Sequence, residues 1–242
     1  MATLTVRLDP IAILREGHSS GLPDPGQATV LVELAGADGI SMCLRRDRRF
    51  LRERDMYILK ELVKTRLEVQ IPPVDAMIDK VLEVRPWMVT FAADQADSDA
   101  APTGIDFVSA GVDFSDIATR FKAADIEPCF MIEPDSDSVR GAAKAGATAV
   151  LINCRQYGEA RSSAQAQTEL DRIDRTAGAA VKAGLNCRID GSLDLRNIVP
   201  LIELGLINDF VVGHSLAARA ILLGYHKAVT EMMQLVQTVA RG

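Results

Sequence analysis

The sequence predicts an α/β fold closed as a (β/α)8 barrel with an extra C-terminal helix, on three observations. Short apolar or β-branched runs alternate with longer amphipathic stretches from one end of the chain to the other, the pattern of parallel strands joined by helical crossovers. Eight such runs can be counted: Leu4 to Leu8, Gly39 to Leu44, Arg66 to Ile71, Trp87 to Ala92, Glu127 to Ile132, Thr148 to Asn153, Leu185 to Ile189 and Asp209 to Gly213. Several intervening stretches end in Ala-Gly or Leu-Gly just before the next run, at Ala35-Gly36, Ala145-Gly146, Ala183-Gly184 and Leu204-Gly205. Glycine at that place supplies a left-handed helix C-cap followed by a short loop.

Amphipathic spacing predicts helices over Gln27 to Ala35, Asp55 to Lys64, Asp75 to Glu83, Phe114 to Ala124, Ser136 to Ala145 and Ala164 to Ala183. Ser215 to Ala240 reads as two helices, divided near Gly224, that close the outer ring. A chain of 242 residues suits one barrel domain spanning 1–242. No GxGxxG follows the first run, which argues against an open dinucleotide-binding sheet.

Composition narrows the partners. Thirty-three acidic against 27 basic side chains give a net charge of −6, which disfavours nucleic acid or an anionic membrane as the main partner. The basic cluster from Cys43 to Arg54 is read first as a solvated loop and helix start. The opening MATLTVRLD reads as a strand rather than a signal peptide, and no apolar run reaches about 18 residues, so the expectation is a cytoplasmic protein. Cys43, Cys129, Cys154 and Cys187 are widely spaced without CxxC and are expected to be free thiols. Nothing in the spacing of His18, Cys43 and His214 demands zinc, and neither a metal nor a cofactor is expected.

In a barrel the site lies at the C-terminal strand ends and in the loops after them. Gly213-His214, opening a helix, is an intrinsic anion site by its free backbone N–H groups. Arg45 is either a bidentate anion anchor or half of a surface ion pair with Asp47. Arg7 and Arg188 are placed to reach the mouth, with Asp9 and Asp190 as counter-charges. Cys43, near Arg45 and Arg46, is either an activated thiol or a packing residue.

Read in order, the stretches LDPIAILR (Leu8 to Arg15), LPDP (Leu22 to Pro25), AGADGISMCLRRDRR (Ala35 to Arg49), FMIEPD (Phe130 to Asp135), the Tyr157 region and GHSLAARAI (Gly213 to Ile221) resemble the pyridoxine 5′-phosphate synthase family over nearly the whole chain. The resemblance implies a (β/α)8 TIM barrel, usually an octamer. It would condense 3-amino-2-oxopropyl phosphate with 1-deoxy-D-xylulose 5-phosphate without a metal. It also implies three proton carriers: a histidine after the second strand, a glutamate on the third and a histidine after the seventh.

The three matching positions here are Cys43, Gln70 and Gly191. Glutamine does not titrate and glycine has no side chain. The family's Asn-x-Asp-His reads Arg7-Leu8-Asp9-Pro10, its next arginine reads His18, and the histidine ending LRxDRR reads Phe50. Its threonine-rich phosphate loop reads DQADSDAAPTG (Asp94 to Gly104), and a glutamate of the sixth strand reads Leu151.

The expectation is therefore a repurposed enzyme with Cys43, Gln70 and Asp190 at the reaction centre. Arg7, Asp9, His18, Arg45, Arg188, Gly213 and His214 would hold a small anionic amino-ketone, sugar-phosphate or amino-acid-like substrate. A non-catalytic binding protein, or an authentic synthase with relocated acid and base groups, are the alternatives.

Overall fold

A computed structural model of the chain describes residues 2–93, 101–109 and 111–240. The elements run β1 (Thr3–Arg7), α1 (Asp9–Glu16), α2 (Pro25–Leu34), β2 (Gly39–Cys43), α3 (Glu53–Leu62), β3 (Arg66–Ile71), α4 (Asp75–Val84) and β4 (Met88–Phe91). They continue with α5 (Phe114–Ala123), β5 (Glu127–Ile132), α6 (Ser136–Lys144), β6 (Ala149–Asn153), α7 (Arg155–Gly158) and α8 (Ser163–Lys182). The last are β7 (Asn186–Asp190), α9 (Ile198–Glu203), β8 (Asp209–Val212), α10 (His214–Leu223) and α11 (Tyr225–Val239). The eight strands pair in parallel and in sequence order, and β8 closes on β1.

Each expected strand is present within a residue at either end. The glycine stops behave as the spacing predicts: Gly36, Gly146, Gly184 and Gly205 have φ of +94°, +82°, +75° and +68°. Three helices escaped the pattern. Helix α1 begins at Asp9 with Pro10 in its first turn, where a missing N–H is harmless and an acidic side chain meets the helix dipole favourably. Helices α7 and α9, at 4 and 6 residues, are too short to show a period.

Alternation along the strands divides the apolar residues into two sets. The larger, including Val6, Ile40, Val69, Phe91, Phe130, Ile152, Ile189 and Phe210, packs between the strands and the helices. A smaller set, Met88, Ala92, Cys129, Met131, Ala149, Leu151 and Val211, fills the inside of the barrel. Leu151, where the relatives are expected to carry a glutamate, is fully buried there.

A charged layer shares that interior, and it corrects one expectation. Arg188 does not reach the mouth. Its guanidinium, 2% exposed, donates to Glu68 Oε1 at 2.9 Å and Oε2 at 2.8 Å, and to Asp209 Oδ2 at 2.7 and 2.9 Å. Thr90 donates to Glu68, and Thr5 to Asp209. Residues 188 and 190 both face inward on β7, but two residues of strand separate them by about 6.6 Å. The carboxylates of β3 and β8 capture the arginine at the lower level. Burial alone would raise the Glu68 pKa, yet the charge and hydrogen bonds of Arg188 pull it down to about 2.

No helix among the described residues is long and apolar enough to cross a membrane.

Candidate active site

A cavity of about 570 Å³ opens at the C-terminal strand ends, where barrel sites form. Arg7, the last residue of β1, crosses its floor. One guanidinium nitrogen donates to Gln70 Oε1 at 2.6 Å and the other to Asp190 Oδ2 at 2.6 Å, with Asp9 Oδ2 at 3.9 Å. Burial works against the charge on Arg7, but Asp190 and Asp9 outweigh it and hold the guanidinium firmly protonated. Gln70 turns its amide nitrogen to the sulfur of Met131 at 3.6 Å. Gly213 makes room for this arrangement, since a Cβ there would lie 3.0 Å from Arg7 Cβ.

Around the rim, Cys43 ends β2, and its backbone N–H donates to Asp9 Oδ1 at 3.2 Å. Asp9 Oδ2 is buried and accepts no hydrogen bond. Arg45 lines the cavity while buried to 6% exposure, and it grips Asp47 through Nη2 at 3.0 Å. The hydrogen bond from Arg45 holds the Asp47 carboxyl down at about 2. Both readings of Arg45 therefore meet in one residue, which is ion-paired and faces the cavity. Phe50 joins the wall with φ +67°, and its carbonyl is pinned by Arg15 at 2.6 Å, itself bidentate to Asp55 at 2.8 and 2.7 Å.

Helix α10 starts at His214 with Gly213 as N-cap and no side-chain cap, so its first N–H groups face the cavity. Across β7, Gly191 has φ +136°, and a Cβ on it would lie 2.5 Å from the Arg155 nitrogen. The turn from β6 into α7 thus fills the space beside Gly191 and brings Arg155 and Glu159 to the rim. Ser192, Asp194 and Ser215 also line the cavity; Arg155 and Ser192 fall in the strand-end stretches 153–157 and 188–192 that a barrel assigns to its mouth, whereas Glu159, Asp194 and Ser215 lie outside them. Position directly after a strand end was the available signal for Arg155.

Cys43, Gln70, Asp190, Arg7, Asp9, Arg45, Gly213 and His214 are brought together in this cavity. Arg188 lies below it. His18 is outside as well: α1 carries the chain away from the mouth, and His18 sits exposed, its Nδ1 accepting from the Ser20 N–H at 3.1 Å. Of the loop after β4, Asp94 to Ala100 lie outside the described residues, while Ala101 and Pro102 line the cavity. The remaining thiols are buried; burial pushes Cys129 and Cys187 up to about 12 and Cys154 upward too.

The family model for "Pyridoxal phosphate biosynthesis protein PdxJ" matches residues 4–238. The pyridoxine 5′-phosphate synthase of Synechococcus sp. (strain JA-2-3B'a(2-13)) is 34% identical over 234 residues, covering 97% of this chain and 98% of that protein. The chain belongs to this family. The synthases of Geobacter sulfurreducens, at 33% identity over 237 residues, and Desulfatibacillum aliphaticivorans, at 34% over 239, are similar from end to end. Among solved structures, a native KDPGal structure (TM-score 0.69, 15% identity, covering 99% of this chain and 96% of that one) and KGPDC from Streptococcus mutans (0.66, 10%, 99% of each) share the barrel. At those identities the likeness is one of fold.

Within this PdxJ family barrel, Asp9 is the cavity carboxyl whose titration is displaced toward neutrality. Burial raises it to about 6, against the pull of Arg7 and of the Cys43 N–H. Arg7, Asp190, Cys43 and Tyr225 are the ionisable groups around it. The native state thus holds the Asp9 proton more tightly than the unfolded chain, and ionising it costs stability as pH rises from about 4 to about 6. Asp9→Asn removes that cost. Its stability relative to the parent is expected to climb across this window and level off above it, as urea unfolding at a series of pH values will show. A flat difference would mean that Asp9 titrates normally.

Proposed function

We propose that this PdxJ family barrel is repurposed. It holds a small anionic substrate, a phosphorylated or carboxylated amino-ketone, sugar-phosphate or amino-acid-like compound of specialised biosynthesis, and does not perform its relatives' ring closure. The observation that supports this reading is the clamp on Arg7. Gln70 stands where the resemblance puts a titrating glutamate, and its side-chain oxygen is committed to Arg7 at 2.6 Å. Asp190 completes the clamp at 2.6 Å. The centre of the mouth is a guanidinium fixed between an amide oxygen and a carboxylate instead of a set of mobile protons. The neighbouring anchors suit an anion: Arg45, and the uncapped N-terminus of α10 at Gly213-His214.

One observation favours a second reading, an authentic synthase with relocated acid and base groups. Asp9, titrating at about 6 inside the cavity, is in the range that suits proton transfer.

Two measurements separate these readings. Thermal unfolding with inorganic phosphate, then with phosphorylated metabolites, is expected to show stabilisation by mass action. Arg45→Gln is expected to weaken phosphate binding about tenfold, through loss of one charge-assisted contact. Incubation with the two parent substrates is expected to yield no pyridoxine 5′-phosphate. Product formation that vanishes in Asp9→Asn would decide for the second reading.

A further inference from the structure

The three arginines lining the cavity differ in how they are satisfied. Arg7 is held by Gln70 and Asp190, and Arg45 by Asp47. The guanidinium of Arg155 makes no hydrogen bond or ion pair among the described residues, although it is only partly exposed. Glu159, the residue one helical turn on and its natural ion-pair partner, instead accepts from Ser192 Oγ at 2.8 Å. Arg155 thus lines the cavity with no neutralising partner among the described residues.

Topology gives its place relative to the other anchors. Arg155 opens α7 two residues after the end of β6 and Arg45 lies two residues after β2, and in a closed ring of eight strands these two are diametrically opposed. Midway along the arc between them lies β8, with the N-terminus of α10. Flanking that midpoint are Asp190 on β7 and Asp9 after β1, two carboxylates facing the single guanidinium of Arg7. One of these oxygens, Asp9 Oδ2, is buried without a hydrogen-bond donor. The arc therefore reads cation, carboxylate, helix N-terminus, carboxylate, cation.

We propose that Arg155 is a ligand-binding residue that takes a second anionic group, so that the natural ligand carries an anion at each end and a neutral or protonated-amine centre. This rests on the anion-binding reading above. The centre cannot itself be strongly anionic, because the carboxylates there outnumber the one cation. A donor such as an ammonium would satisfy Asp9 Oδ2. The β6–α7 turn that carries Arg155 closes on Gly191 at a distance that admits no side chain there.

The test is calorimetric titration of the full chain with α,ω-alkanebisphosphonates of increasing length, with aza analogues bearing a central secondary amine, and with alkylphosphonates as single-anion controls. One chain length is expected to bind at least about tenfold tighter than its control, the worth of one charge-assisted contact. The aza analogue is expected to exceed the plain chain. Arg155→Gln should erase the bisphosphonate advantage while leaving the single-anion affinity within about twofold, and Arg155→Lys should retain part of it. An advantage that survives in Arg155→Gln, or equal loss for both probes, overturns the assignment of Arg155 while the anion anchor stands. Absence of any phosphonate binding by the parent chain overturns the anchor reading and this inference together.

Discussion

Arg188→Met is expected to destabilise the protein by about 3–5 kcal/mol at neutral pH, the cost of leaving buried carboxylates without their cation. The side chain is 2% exposed and makes four nitrogen-to-carboxylate contacts of 2.7–2.9 Å. Methionine fills the volume but leaves Glu68 and Asp209 facing each other inside the barrel. The sign of the pH dependence follows from Glu68, which the ion pair holds at about 2. Its stabilising contribution is present above the ordinary carboxylate range and is lost as pH falls toward 2. In the variant the unpaired carboxyls take up protons more readily, so the deficit should shrink as the solution is acidified. The triple replacement Arg188→Met, Glu68→Gln, Asp209→Asn should recover much of the loss, because it removes the uncompensated charges along with their partner. Urea unfolding at neutral and acid pH reads all three effects. A deficit below about 1 kcal/mol, or one unchanged by acid, would show that water reaches this layer and that the ion triad is not a closed one.

This layer also marks where sequence reasoning stops. The strands are legible because each is a short apolar run, four of them with a glycine stop just upstream, and both signals are local. That Arg188 and Asp190 face inward is legible as well, since both lie on one parity of β7. Which of them meets the mouth depends on Glu68 and Asp209, 120 and 21 residues away in sequence, and on the register that levels them with Arg188. No local pattern carries that information. His18 was misplaced for a different reason: Asp9-Pro10 after a strand resembles a loop start as much as the first turn of a helix, and the choice of helix turns the chain outward. Arg7, Asp9, Gln70, Asp190 and Gly213 line the cavity as expected of their positions, because a residue at a strand's C-terminal end has few directions available in a barrel. Arg155 shares that property, but its significance lies in contact with Gly191, which the sequence separates by a whole helix.

The contact between Gly191 and Arg155 makes the second large effect a failed restoration. Reinstating the three proton carriers that the family resemblance implies, by Cys43→His, Gln70→Glu and Gly191→His together, is expected not to create pyridoxine 5′-phosphate synthesis, and Gly191→His alone is expected to disrupt the fold at the mouth. A Cβ at 191 would lie 2.5 Å from the Arg155 nitrogen and 3.0 Å from the Cys154 carbonyl carbon, which are backbone atoms that cannot swing aside as a side chain can. The backbone at 191 adopts φ +136°, a conformation that side chains rarely take and that costs on the order of 1–3 kcal/mol even without the clash. The replacement at position 70 fares differently. A glutamate there would find Arg7 already at hydrogen-bond distance and would form an ion pair with it, competing with Asp190 and lowering its own pKa below the range of a useful base. Cys43→His with Gln70→Glu should therefore fold with nearly parental stability and still form no product, whereas any variant with histidine at 191 should lose several degrees or more in Tm. Product assays by chromatography and thermal unfolding on the same preparations separate the two effects. Recovery of synthesis in the triple variant would mean that the β6–α7 turn yields to a side chain at 191 and that the barrel has kept its ancestral geometry.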